Sequence, residues 1–246
     1  MASPCSSSSS GRRLLLLAGG DVVVALLLLC TAVGCAPDGS DLTAGFARME
    51  LQEGGFTVQS PYDVPVDRRY RYDAGTGVRT FVVYATDKPF NNVTATNPRT
   101  EARLPTYYYN HNSSSSPTTT TTTWQFEGHV YVPCGTSGAS VVQIHNENGG
   151  TPATAMMLHV YNGTMRWYSG AEVERDVYDR WVRVNVVHDV EASTVAVYVD
   201  GEPKLAVAVV RSRSHYYKFG VYMQHHDVSP RMEARWRNVS IYTKPY

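Results

Sequence analysis

Lysine is scarce in this chain, confined to Lys88, Lys204, Lys218 and Lys244, and neither sign of charge is in surplus: 22 basic side chains meet 22 acidic ones. A nucleic-acid binder normally shows a clustered basic excess, so that class is excluded. Long apolar runs are missing beyond the N-terminal stretch that ends near Leu29, which excludes a multi-span helical membrane protein. Cysteine is nearly absent from the body, where Cys134 stands alone; Cys5, Cys30 and Cys35 lie in or beside the N-terminal apolar run. One cysteine makes no disulfide framework and lacks the close partners of a zinc site, so Cys134, in Pro133-Cys134-Gly135, reads as a thiol at the edge of a turn. No segment has the Gly-rich strand-to-helix pattern of a phosphate loop. What is abundant is tyrosine, 17 residues against 6 Phe and 4 Trp. Tyr-rich, Val-rich chains with few lysines read as β proteins with polar aromatic surfaces.

The N-terminus has a different logic. Arg12 and Arg13 precede the apolar stretch from Leu14 to Leu29, and small residues follow in Ala32, Gly34 and Ala36. A positive start, a short apolar run broken by Asp21 and a small-residue site describe a secretory signal peptide over residues 1–35. Its removal takes away Arg12, Arg13 and Asp21, leaving a nearly neutral product with no membrane anchor. In that context Asn92, Asn112, Asn162 and Asn238, each opening an Asn-X-Ser/Thr triplet, are candidate glycan acceptors. Residues 36–55 are polar and Gly-rich and read as a linker with a short amphipathic segment from Phe46 to Leu51.

From Phe56 to Tyr246 the hydrophobic period is two. Strands are predicted at 56–60, 79–86, 99–104, 124–132, 140–146, 155–161, 164–168, 180–189, 194–199, 203–210, 216–224 and 231–242. Val182, Val184 and Val186 alternate with Arg183 and Asn185, and Val195, Val197 and Val199 repeat the pattern. Asn162-Gly163 and Asp200-Gly201 supply the positive-φ pair that tight hairpins need. Many strands with hairpin turns and no alternating helices predict an all-β fold: a two-sheet antiparallel β-sandwich, of the jelly-roll or concanavalin-like type, with a concave polar face. The Ser/Thr-rich run at 110–123 cannot bury a core and is expected as a solvated loop within this single domain.

Three strands gather unusual chemistry. Side chains at i and i+2 share a face, so Arg99, Glu101 and Arg103 point one way, opposite Thr100 and Ala102. Gln143 and His145 oppose Val142 and Ile144. Tyr216, Lys218, Tyr222 and Gln224 oppose Tyr217, Phe219, Val221 and Met223. A plain sandwich would wet such faces with scattered Thr, Ser, Lys and Glu. Guanidinium, amide, imidazole and phenol together favour a site.

RTEAR (99–103), QIH (143–145) and YYKFGVYMQ (216–224) resemble, in order and spacing, the three signature strands of the family-seven polysaccharide lyases, the alginate lyase 2 superfamily. Their usual forms are R-[ST]-E-x-R, Q-[IV]-H and Y-F-K-A-G-[VI]-Y-N-Q. The stretches 56–70, 124–133 and 178–193 resemble the plant citrate-binding proteins, which share that fold. The resemblance implies a β-elimination: Arg99 and Gln143 neutralise a uronate carboxylate, His145 is the candidate base, and Tyr216 is the candidate acid, or acid and base both, depending on the uronate epimer. Glu101 would orient the arginines, while Arg103, Lys218, Tyr222 and Gln224 would hold substrate. It implies no metal or organic cofactor, a monomer, and as partner an anionic polysaccharide or a small polycarboxylate such as citrate, in the cell wall, outside the cell or in the vacuole. A non-catalytic binder of citrate or wall carbohydrate is the other reading, since binding needs only the cations. Two departures, Phe219 for Ala and Met223 for Asn, fall by alternation on the face away from Tyr216 and Lys218.

Other clusters read more plainly. Tyr107, Tyr108 and Tyr109 are expected to pack within a strand. Arg231, Glu233, Arg235 and Arg237 alternate as a solvated charge ladder. His225 and His226 are adjacent on an extended chain, so with Asp227 they do not converge on a metal.

Overall fold

A computed structural model describes residues 41–49, 51, 54–108, 123–147, 152–212 and 214–244. Its strands, in chain order, are β1 (Ala47–Met49), β2 (Thr57–Gln59), β3 (Tyr70–Asp73), β4 (Val78–Tyr84), β5 (Arg99–Arg103), β6 (Tyr107–Tyr108), β7 (Thr123–Tyr131), β8 (Ala139–Asn146), β9 (Thr154–Tyr161), β10 (Thr164–Trp167), β11 (Glu172–Glu174), β12 (Trp181–Asp189), β13 (Thr194–Val199), β14 (Glu202–Ala208), β15 (Ser214–Met223) and β16 (Arg231–Thr243). They form two antiparallel sheets. One runs β14-β13-β12-β7-β16-β4-β3 with β1 on β16; the other runs β11-β10-β9-β8-β15-β5-β2 with β6 on β15. The chain is therefore the two-sheet sandwich that the alternation predicts, and all twelve expected strands are present.

The valine pattern explains the first sheet. Val184 pairs with Val199 and Val186 with Val197 across β12 and β13, and all four are fully buried. Apolar residues on one side of each strand thus meet in the interlayer, where side-chain burial contributes about 1.5–3 kcal/mol apiece. The two hairpin turns carry positive φ at Asn162, Gly163, Asp200 and Gly201, as the tight connections require.

An aromatic seam holds the layers in register. Phe219 on β15 packs against Phe81, Phe126 and Trp236 of the opposite sheet at centroid distances of 5.5, 5.9 and 5.7 Å. Tyr217 sends its hydroxyl to the carbonyls of Trp124 and Val186. The alternate residues of β15, Tyr216 and Lys218, consequently face outward. Gly220 is bound to this arrangement: at φ +142, a Cβ there would lie 2.4 Å from the Thr100 carbonyl oxygen.

Several expectations change. Residues 47–49, inside the expected linker, pair with β16 through Ala47–Thr243 and Arg48–Tyr242. Cys134 is disulfide-bonded, which overturns its reading as a thiol. Its spacing from Cys5, Cys30 and Cys35 carried no such signal, and those three lie outside the described residues. The expected signal peptide, Asn112, Tyr109 and the Ser/Thr-rich run also lie outside them, save Thr123, which opens β7. The ladder on β16 is not solvated throughout: Glu233 is 3% exposed and holds both Arg231 and Arg235. Tyr107 packs in the core, stacked on Trp124 and Tyr217.

Candidate functional site

β8, β15 and β5 are neighbours in the second sheet, which places the three polar strands side by side. Register then decides what meets. Tyr216 pairs with His145, Lys218 with both Gln143 and Arg103, and Tyr222 with Arg99. The register with β8 shifts between Phe219 and Tyr222, while the pairing with β5 runs unbroken from Lys218–Arg103 to Tyr222–Arg99 and keeps Tyr222 on the outward side.

Glu101 forms the floor, with no exposed surface. One carboxylate oxygen accepts a 2.6 Å hydrogen bond from Gln143 Nε2. The other stands 3.6 Å from Arg99 Nη1 and 3.7 Å from Lys218 Nζ, ion-pair separations beyond hydrogen-bond length. A carboxylate this deep needs such partners, since an uncompensated buried charge costs several kcal/mol. Glu101 therefore fixes the direction of three donors. Gln143 keeps a second amide N–H, and Arg99 keeps nitrogens beyond the one facing Glu101.

Tyr216 lies between two planar groups. The His145 ring stacks on it at 4.8 Å and 11°, approaching from β8, and the Arg103 guanidinium lies 4.1 Å from its centroid, approaching from β5. Arg103 in turn donates to Glu147, 2.7 Å away. Arg99 packs its guanidinium on the Tyr222 ring at 3.8 Å and on Phe90 at 4.9 Å. Gln224 sits just past β15, its amide donating to the Tyr222 carbonyl. Three cations thus stand against two carboxylates.

The electrostatics set protonation. Burial, and secondarily the Lys218 ammonium, depresses the His145 pKa to about 4, so the imidazole is neutral near pH 7. Burial raises the Tyr216 pKa above its ordinary value, so its phenol keeps its proton. Burial also lowers Lys218 to about 8, an effect that Glu101 partly offsets. At neutral pH the face carries a neutral imidazole able to accept a proton beside a phenol able to give one.

Every candidate residue contacts another member of the group, Gln224 through the backbone carbonyl of Tyr222. The face also extends onto β9, where His159 pairs with Ser140, itself the cross-strand partner of Tyr222. His159 is buried, its Nε2 has no hydrogen-bond partner, and burial lowers its pKa to about 4. The alternation of Met157, His159 and Tyr161 carried that signal. Phe90 and Glu147 lie in connections, where no periodicity points to them. Among the described residues no three His, Cys, Asp or Glu side chains are grouped to hold a metal ion. Asp227 instead accepts hydrogen bonds from Ser137 and Asn162, and His226 stacks on Tyr161.

Fold and polar face together define a two-sheet jelly-roll sandwich with a charged, aromatic face on its second sheet. The chain belongs to the alginate lyase 2 family, whose sequence profile matches residues 50–243. It is 40% identical over 203 residues to the citrate-binding protein of Hevea brasiliensis, covering 82% of this chain and 79% of that one. The fold is shared with the alginate lyase AlgAT5 of polysaccharide lyase family 7, at a TM-score of 0.56 and 15% identity, covering 77% and 94% of the two chains. It is shared too with the alginate lyase of Corynebacterium sp., at a TM-score of 0.54 and 12% identity over 71% and 81%.

Proposed function

We propose that this face binds a uronate polysaccharide and cleaves its 4-linkages by β-elimination. The observation that carries the reading is the pairing of His145 with Tyr216, ring on ring, beside Arg99 and Gln143. The C5 proton of a uronate is acidified only when the adjacent carboxylate is neutralised, and Arg99 with the free N–H of Gln143 supplies that. His145 takes the C5 proton. The C–H electron pair becomes the C4–C5 double bond as the C4–O4 bond breaks, and O4 receives the Tyr216 proton. For the opposite epimer, whose C5 proton lies on the other side of the ring, Tyr216 serves as both base and acid. Arg103, Lys218 and Tyr222 hold neighbouring carboxylates and hydroxyls. All groups the reaction needs are side chains, so the proposal includes no cofactor.

A second reading is favoured by the Hevea relative, whose name is for citrate: the same cations would bind a small carboxylate without turnover. The two readings part on one experiment. Incubation with a panel of polyuronates should release 4,5-unsaturated sugar ends, detected by their ultraviolet absorbance. Binding without any such product selects the second reading.

We further propose a secreted, glycosylated monomer of the wall or vacuole. The N-terminal charge and apolar pattern supports this.

A further inference from the structure

The outer face of the other sheet carries an arginine-lined pocket that β-elimination does not use. Its volume is about 520 Å³, and its floor is Thr80 and Val82 of β4. Register explains why cations converge there. Thr80 pairs with Arg71 on β3 and with Arg235 on β16, so two arginines flank a small side chain with no acid between them. Their backbones are two strand spacings apart, about 10 Å; the Arg235 guanidinium packs on the Tyr131 ring of β7 at 5.2 Å and has to swing from it to reach a ligand over Thr80.

The neighbouring groups reinforce this. Glu233, almost fully buried, is held between Arg231 and Arg235, whose side chains are nearly half exposed. That carboxylate fixes both guanidiniums while leaving each with further N–H groups. Arg68 and Arg71 make no ion pair among the described residues, whereas Arg69, on the same rim, is taken bidentately by Asp87 at 2.8 and 2.7 Å. A solvated charge ladder would alternate signs and leave no such excess.

The pocket is bounded along β3. The 3-10 turn at Val66–Arg68 closes one end and the turn from Asp73 to Thr76 the other. A bounded floor suits a compact molecule rather than a running polymer. Two separated guanidinium groups suit two separated carboxylates better than one compact anion, and the acids at the rim, Asp67 and Asp73, disfavour dense charge.

We propose that this pocket is a second anion site, built for a small di- or tricarboxylate and independent of the polar face on β5, β8 and β15. The test is calorimetric titration of the whole protein with citrate at low salt. One citrate should bind per chain. Arg71→Gln and Thr80→Glu should each weaken it by about tenfold or more, the range for losing or opposing one charge-assisted contact. Arg99→Ala should leave citrate affinity within about twofold, since it lies on the other sheet. Thr80→Glu places a carboxylate between two arginines and should retain the parent melting temperature, so its effect reads on binding. Absence of citrate binding would overturn the proposal. So would loss in Arg99→Ala with Arg71→Gln and Thr80→Glu unchanged, or inorganic phosphate binding as tightly as citrate. Polyuronate binding by the same variants reports on the other face, so either site can fail without the other.

Discussion

Gln143 donates a 2.6 Å hydrogen bond to Glu101, a carboxylate with no exposed surface, and so the amide assigned to substrate is first of all fixed by the protein. Arg99 and Lys218 flank the other oxygen of the same carboxylate. The site is a set of donors aimed by one buried acid.

Removing that acid leaves two cations buried without compensation. Glu101→Ala should therefore destabilise the fold by about 3–5 kcal/mol, the range for breaking a buried pair. Chemical denaturation measures it. A loss under about 1 kcal/mol would place Glu101 in the class of surface ion pairs and remove it as the organiser of the site.

Phe219 departs from the usual alanine of the resembling motif, and it sits in the aromatic seam with Phe81, Phe126 and Trp236. Phe219→Ala opens a cavity there and should cost about 3–5 kcal/mol of stability. Ligand affinity of the fraction that remains folded should be close to that of the parent, since the side chain lies behind the strand. A variant as stable as the parent would contradict the seam's role in holding β15.

The period-two pattern exposed this much because both sheets bury one side of each strand. Val182, Val184 and Val186 could be read directly, and so could the outward row of Arg99, Glu101 and Arg103. The strands that escaped are short: β1 and β11 have three residues each, and β3 has four. Their existence depends on a neighbour's free edge, as Ala47 depends on Thr243, and no local pattern encodes that. Within the site, Glu147 and Phe90 were illegible because connections have no period. Glu101 was legible as an orienting acid, but its complete burial depends on how the layers stack. Cys134 was misread because cysteine spacing does not specify pairing.

Stability should fall with acid. His188 lies between the sheets, its Nδ1 2.8 Å from the Tyr107 hydroxyl and its ring 4.5 Å from that of His215. Burial, and then His215, lowers its pKa from 6.5 to about 3; burial lowers His215 to about 4. Below pH 6.5 the unfolded chain takes up protons that the folded one refuses, so stability declines from there towards the folded values and levels off beneath them. His188 alone should account for about 2 kcal/mol between pH 6.5 and 5. Urea midpoints across that window test it, and a flat profile would contradict it.

Anion binding at the polar face should weaken in alkali. Lys218, 2% exposed, titrates at about 8, so its charge is lost as pH rises through that value. Polyuronate affinity should fall across this range in the parent and stay flat in Lys218→Met. Equal slopes in the two proteins would take Lys218 out of the ligand's surroundings.

Proton movement by the His145 and Tyr216 pair, on a uronate held by Arg99 and Gln143, is the proposed chemistry. It is tested most directly by measuring both polyuronate affinity and unsaturated-product release in His145→Ala and Tyr216→Phe. Acid and base act mainly in the transition state, so both variants should keep affinity within about threefold while the rate falls by about 100-fold or more in Tyr216→Phe. His145→Ala should match that loss on the epimer for which His145 is the base. Product release at the parental rate in both variants, or none from the parent protein on any polyuronate, would contradict the account.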